Sequence, residues 1–257
     1  MRILIAGGTV VNADGTSLCD VLIEDGRIVS VQEKIDCPDA ERVDAAGKLV
    51  FPGFIDTHTH FDLVAGGVRT ADNFASGTAA AVLGGTTTVI DFATQERGES
   101  MREALQNWHE KAKDASCNYG FHMAVSEWNA ARLAELDDLI AAGVTSYKMY
   151  MVYDNMRVSD GDIYEALIET AKRGCLIGVH CENYDVLQKR IADLHASGRF
   201  DMAAHPVSRP ADVEAEAVAR LMRIASLANA PVYVVHLSTE EGLNEALRAR
   251  SRVEQVE

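Results

Sequence analysis

Two histidines separated by one threonine close the run GFIDTHTH, residues 53–60. Alternate side chains of an extended strand share a face, so His58 and His60 would project together with their rings close enough to hold one small object. Neutral imidazole is the commonest protein metal ligand, and two on one strand face supply part of a site. Other apolar runs also carry polar residues at or near their ends: Lys148 inside TSYKMYM, His180 in CLIGVHCEN and His236 in PVYVVHLS. A buried, unpaired ammonium costs several kcal/mol, so a lysine among apolar neighbours is pushed toward its neutral amine. That amine is nucleophilic and can take up carbon dioxide as a carbamate, whose two oxygens could bridge two cations. Each residue alone also has a structural reading, as a hydrogen-bonded core histidine or as a lysine whose stem packs while its head reaches water. The remaining histidines, His109, His122, His195 and His205, read as structural or surface residues.

The elements that must position these groups follow from periodicity. The first fifty residues alternate short β-like runs with turn signals, Asp25-Gly26 marking a tight hairpin, and predict a small β domain over residues 1–49. From residue 50 onward, strand-like runs alternate with amphipathic stretches such as ESMREALQNWHEKAKDA, NAARLAELDDLIAAG, SDGDIYEALIETAKRG and VEAEAVARLMRIASLANA. Gly143 and Gly174 close two of these, and Ser159 three residues before Asp162 predicts an N-cap. Regular alternation predicts parallel strands joined by helical crossovers, in a doubly wound sheet or a barrel. The first βα turn lacks G-x-G-x-x-G, which counts against the dinucleotide-binding sheet. Polar groups at the carboxyl ends of strand after strand favour the barrel, where active sites are assembled. Residues 50–257 therefore read as an α/β fold, a TIM-type (β/α) barrel that is incomplete, with six of eight βα units. Such an open barrel would expose sheet edges and the inner apolar face, which predicts poor solubility or oligomerisation unless something covers them; a homo-oligomer, tetramer or dimer, is expected.

Composition narrows the partners. The 257 residues are 47% hydrophobic and 25% charged, ordinary for a globular protein with a large core. A net charge of -15 excludes nucleic acid and anionic membrane surfaces as natural partners and leaves a small neutral substrate as the expectation. MRILIAGGTVVN lacks the long apolar run of a signal peptide, and no stretch of about 18 apolar residues follows, so a cytoplasmic location is expected. Five cysteines scattered without a C-x-x-C pair suit free thiols in a reducing compartment.

The runs PGFIDTHTH, GGTTTVIDF, SYKMYM followed by Tyr153, VHCEN and VYVVHLS, in that order, resemble the amidohydrolase superfamily and, within it, the dihydropyrimidinase and D-hydantoinase group. The resemblance runs over essentially the whole chain. It implies that His58 and His60 bind one metal, that carboxylated Lys148 bridges two, and that His180 and His236 bind the second. It also implies that Tyr153 hydrogen-bonds the substrate carbonyl and stabilises the oxyanion. The cofactors would be two divalent ions, zinc by ligand chemistry, with carbon dioxide held as the Lys148 carbamate. Hydroxide shared by the ions would open the cyclic amide of a hydantoin or dihydropyrimidine to an N-carbamoyl amino acid. The family's sixth ligand, an aspartate ending strand eight, has no counterpart before the sequence stops at ALRARSRVEQVE, and neither Asp56 nor Asp91 is expected to replace it. Allantoinase and dihydroorotase share the histidine pair and the lysine. A dihydroorotase should offer basic side chains to its carboxylate substrate; FDLVAGGVRTADNF offers Arg69 alone and favours an uncharged ring. The other alternative is a truncated or non-catalytic interaction protein, which predicts no stoichiometric metal.

Overall fold

Every second residue of β1 (Arg2–Asn12) is buried from Leu4 to Val10, the period of a strand with one covered face. The computed structural model describes residues 1–65 and 67–252. In it β1 pairs antiparallel with β2 (Gly15–Glu24), β2 pairs antiparallel with β3 (Arg27–Gln32), and β1 also takes β4 (Glu41–Asp44) and β5 (Leu49–Val50) in parallel. The β2–β3 turn holds Asp25 at φ 48° and Gly26 at φ 78°. Two successive left-handed residues are what a type I′ hairpin requires, so Asp25-Gly26 acts as its sequence suggests.

The second sheet starts at β6 (Phe54–Thr59). A short hairpin follows, β7 (Val64–Ala65) with β8 (Val68–Arg69), then α1 (Phe74–Leu83) and β9 (Thr86–Thr94). Strand and helix then alternate: α2 (Met101–Lys111), β10 (Asn118–Ala124), α3 (Ala130–Leu133), α4 (Leu136–Ala141), β11 (Ser146–Tyr150), α5 (Asp160–Ala171) and β12 (Leu176–His180). The series continues with α6 (Tyr184–Ala196), α7 (Ala204–Ser208), α8 (Ala211–Ala228), β13 (Val232–Val234) and α9 (Glu240–Ser251). The strands lie side by side in chain order, β13-β12-β11-β10-β9-β6, with parallel register from β10 to β13. A doubly wound sheet reverses its strand order at a switch point; this curled sheet does not. Its core joins Met123, Met149, Ile177 and Val179 from the strands to Leu139, Leu167 and Leu221 from the helices.

Local signals set the helix ends. Capping boxes at Ser100–Glu103 and Ser159–Asp162 start α2 and α5. Two stretches differ from the sequence expectation. NAARLAELDDLIAAG forms two short helices because Glu135 turns inward, pairs with buried Arg132 and accepts the Arg102 N–H at 3.2 Å. LVFPGFIDTHTH divides at Pro52-Gly53: Leu49–Val50 joins β1 while Phe54–Thr59 joins the parallel sheet. Gly53 is required there, since a Cβ would sit 2.1 Å from the Thr87 hydroxyl. The chain divides into two compact units, Met1–Ile55 with Ala81–Thr88, and Asp56–Ala80 with Val89–Glu257. Among the described residues no helix is long and apolar enough to cross a membrane.

Candidate metal centre

All six residues singled out for chemistry belong to the second unit and stand at or beyond the middle of its parallel strands. His58 lies in β6 and His60 one residue past it; Lys148 is in β11, His180 ends β12, and His236 follows β13 by two residues. Strand periodicity turns the first pair to one face, with the Nε2 atoms 3.2 Å apart. His180 and His236 form the second pair, their ring centroids 4.5 Å apart, and His58 lies 6.0 Å from His236, linking the pairs. Tyr153, in the turn after β11, has its ring 5.1 Å from His180. Phe92 of β9 underlies the group: its ring is 4.6 Å from His58, 4.7 Å from His60 and 5.6 Å from the Lys148 Nζ.

The electrostatics follow from burial. Lys148 is 2% exposed, its Nζ is 4.9 Å from the Tyr150 ring, and among the described residues it meets no carboxylate partner. Burial pushes its amine down to about 8. Partial burial, with the neighbouring cationic groups, pushes His58, His60 and His236 down to about 4, although His58 and His236 keep exposed surface, and favours the neutral ring with a free lone pair at pH 7. His180 is held differently, by a 2.8 Å contact from Nε2 to Glu182, which pairs in turn with Arg209 at 3.0 Å. Burial alone would raise the Glu182 carboxyl; the His180 and Arg209 partners hold it below its usual value. A carboxylate accepting from Nε2–H leaves Nδ1 as the ligand atom, a common arrangement behind metal-bound histidine. The backbone is strained at both turns, with φ 74° at Tyr153 and φ 39° at His236, a region that non-glycine residues enter rarely and often near functional sites.

Among the described residues, no group of three or more His, Cys, Asp or Glu side chains closes on one point as a ready metal cage. The donors stand instead as two imidazole pairs with a lysine amine beside them. That set fits divalent cations on two counts. Nitrogens bound at about 2.0–2.1 Å to one tetrahedral ion are separated by about 3.4 Å, close to the His58–His60 spacing. Nδ1 of His60 is also buried without a hydrogen-bond partner among the described residues, an uncompensated polar atom. A polar cleft of about 590 Å³ opens elsewhere, lined by Arg97, Glu127, Arg157, Asp160 and Arg220 among others, and none of the imidazoles borders it. Its charges are largely consumed internally: Arg220 pairs with Asp160 and Glu216, and Arg97 donates to two backbone carbonyls.

Residues 49–250 match the model of the amidohydrolase family. The chain belongs to that family. The chain is 41% identical over 254 residues to a D-hydantoinase of Rhizobium radiobacter and 44% identical over 257 residues to one of Streptomyces coelicolor. These alignments cover 98% and 97% of the chain but 55% of each relative, so the chain spans about half the length of the curated relatives it matches. The crystal structure of a dihydropyrimidinase from Brevibacillus agri superposes with a TM-score of 0.97 at 40% identity, covering all of this chain and 56% of that one.

Three contributors in this amidohydrolase lie beyond what strand-end reasoning on the sequence found. His122, expected as a structural or surface residue, is half-buried beside the cluster, 4.9 Å from the Phe92 ring and bonded to the Thr57 carbonyl. Glu182 and Arg209 brace His180. The Glu of VHCEN two residues after the histidine was the available signal for the former; Arg209 comes from the segment after α7 and had none. His109 packs on Phe121 and His195 stacks on Phe200, in keeping with structural roles.

Proposed function

We propose that this chain carries the metal-binding part of a cyclic amidohydrolase that opens hydantoins or dihydropyrimidines to N-carbamoyl amino acids. The observation that carries the reading is the meeting of four imidazoles with one buried amine that lacks an acidic partner. In this reading His58 and His60 hold one divalent ion, His180 and His236 the other, and Lys148 serves both as a carbamate. Zinc suits the mixed nitrogen and oxygen donors. Such ions, when bound, polarise a carbonyl and make hydroxide available near neutral pH.

The chain's own residues supply the rest. Burial lets the Lys148 ammonium shed one proton; the neutral amine then adds to carbon dioxide, forming an N–C bond as one C=O π bond opens, and a second proton leaves the nitrogen for solvent. The carbamate then replaces a buried positive charge with a negative one suited to cations. Tyr153 donates its phenolic O–H to the substrate carbonyl oxygen as charge develops there. Burial and nearby Glu182 raise its phenol, against the weaker pull of Arg209, so the proton is present at neutral pH. Phe92 excludes water beneath the imidazoles. The curled sheet reads as the first six strands of a (β/α) barrel over residues 50–257, with a small β domain over residues 1–49.

The five free cysteines support a reducing, cytoplasmic setting. The test is elemental analysis of the purified chain with an assay for opening of dihydrouracil and of a phenyl-substituted hydantoin. Bound zinc with ring opening is the expected result. Metal-free protein that gains neither property from zinc and bicarbonate would overturn the proposal in favour of an interaction protein.

A further inference from the structure

Asp91, near the end of β9, is 1% exposed, and the chemistry above makes no use of it. Its Oδ2 accepts from the Thr59 hydroxyl at 2.9 Å and the Phe61 N–H at 2.8 Å. Its Oδ1 accepts from the Phe92 N–H at 2.7 Å and the Trp108 indole N–H at 3.3 Å. Two donors at each oxygen use the full accepting capacity of an ionised carboxylate. Thr59 and Phe61 are the residues on either side of His60.

His122 acts on the residue before His58. Its Nε2 lies 2.9 Å from the Thr57 carbonyl oxygen, and its Nδ1 lies 2.5 Å from the Ser146 hydroxyl. A carbonyl can only accept, so Nε2 carries the proton and Nδ1 accepts from Ser146. Residues 57, 59 and 61 are thus each tied down, and they alternate with the two imidazoles.

We propose that Asp91 and His122 are positioning residues, a two-sided clamp that keeps His58 and His60 converged and thereby sets the affinity of the pair for a divalent cation. The proposal rests on the reading of these imidazoles as metal ligands. Asp91→Asn leaves one accepting oxygen and turns an NH2 toward two donors. Thr59→Val keeps the carboxylate and removes one donor, and decides the matter if the first variant fails to fold. Leu139→Ala, a cavity in the core at α4, controls for lost stability. In the 257-residue chain, Asp91→Asn and Thr59→Val should weaken zinc binding, read by chelator competition, by about tenfold or more. They should also shift the visible spectrum of the cobalt-loaded chain. Leu139→Ala should lower the unfolding temperature and leave both readouts alone. Parental zinc affinity and cobalt spectrum in both site variants would overturn the clamp.

Failure of the metal reading looks different, because the parent itself would then bind no zinc. The clamp is then judged in the metal-free chain by amide hydrogen exchange at Phe61. Faster exchange in Asp91→Asn supports the clamp, and unchanged protection overturns it.

Discussion

The two limbs of the candidate site reach the same place by different means. On the first limb, His58 and His60 are brought together by strand period, one on β6 and the other one residue past its end, and then tied from outside through residues 57, 59 and 61. On the second, His180 and His236 come from neighbouring strands of the sheet. One is held by Glu182 and Arg209, the other by a left-handed turn at φ 39°. A pair encoded by local spacing is braced through the backbone on either side of each ring. A pair assembled from two strands inherits its register from the sheet and needs each ring oriented separately.

Experiments can break this contrast or sharpen it. The largest effect should come from Lys148→Ala, which removes the group between the limbs. Stoichiometric zinc should be lost from both, by elemental analysis after desalting, and a short carboxylic acid such as propionate should restore part of it. Zinc retained at the parental level would show that the limbs hold metal without the lysine. Tyr153→Phe should lower kcat for ring opening by roughly a hundred- to a thousandfold with KM little changed, because the phenol acts on charge that appears only in the transition state. Glu182→Gln should weaken zinc binding by roughly ten- to a hundredfold, confined to the His180 limb, with Arg209 left unpaired. Loss of all zinc in that variant would mean the limbs do not act separately.

The smallest effect is on stability and depends on pH. His58, His60 and His236 titrate near 4 in the folded chain against 6.5 for an unperturbed imidazole, so between these values the unfolded chain binds more protons. Stability is therefore full above about 6.5 and falls as pH drops toward about 4. Thermal unfolding of the metal-free chain should follow that sign. Two of the three shifted imidazoles are on the first limb, so replacing His58 and His60 together should flatten the profile more than His236→Ala. An equal or larger flattening from His236 would reverse the comparison.

These differences also mark what the sequence could and could not express. The Asp25-Gly26 hairpin, the caps at Ser159 and the i, i+2 histidines depend on neighbours within a few residues, and each is readable as such. The chain-order sheet follows from the strand and helix rhythm. By contrast, Asp91 meets Thr59 across 32 residues and His122 meets Thr57 across 65, and no local pattern announces a tertiary bond of that kind. In the sequence Asp91 is legible only as a carboxylate at a strand end, because residue type speaks to chemistry and is silent on which neighbours a carboxylate will serve. The break between α3 and α4 has the same origin, since Glu135 leaves its helix to satisfy Arg102.

The position of Phe92 has a kinetic consequence. Its ring, 4% exposed, backs His58, His60 and His122 and lies near the Lys148 amine. A hydrocarbon face offers no ligating group, so in the proposed reading any ion or carbon dioxide taken up would approach from the side away from Phe92. Exchange of metal with small scavengers should then outpace exchange with bulky ones of equal affinity. Opening that wall with a smaller residue would narrow the gap between the two rates.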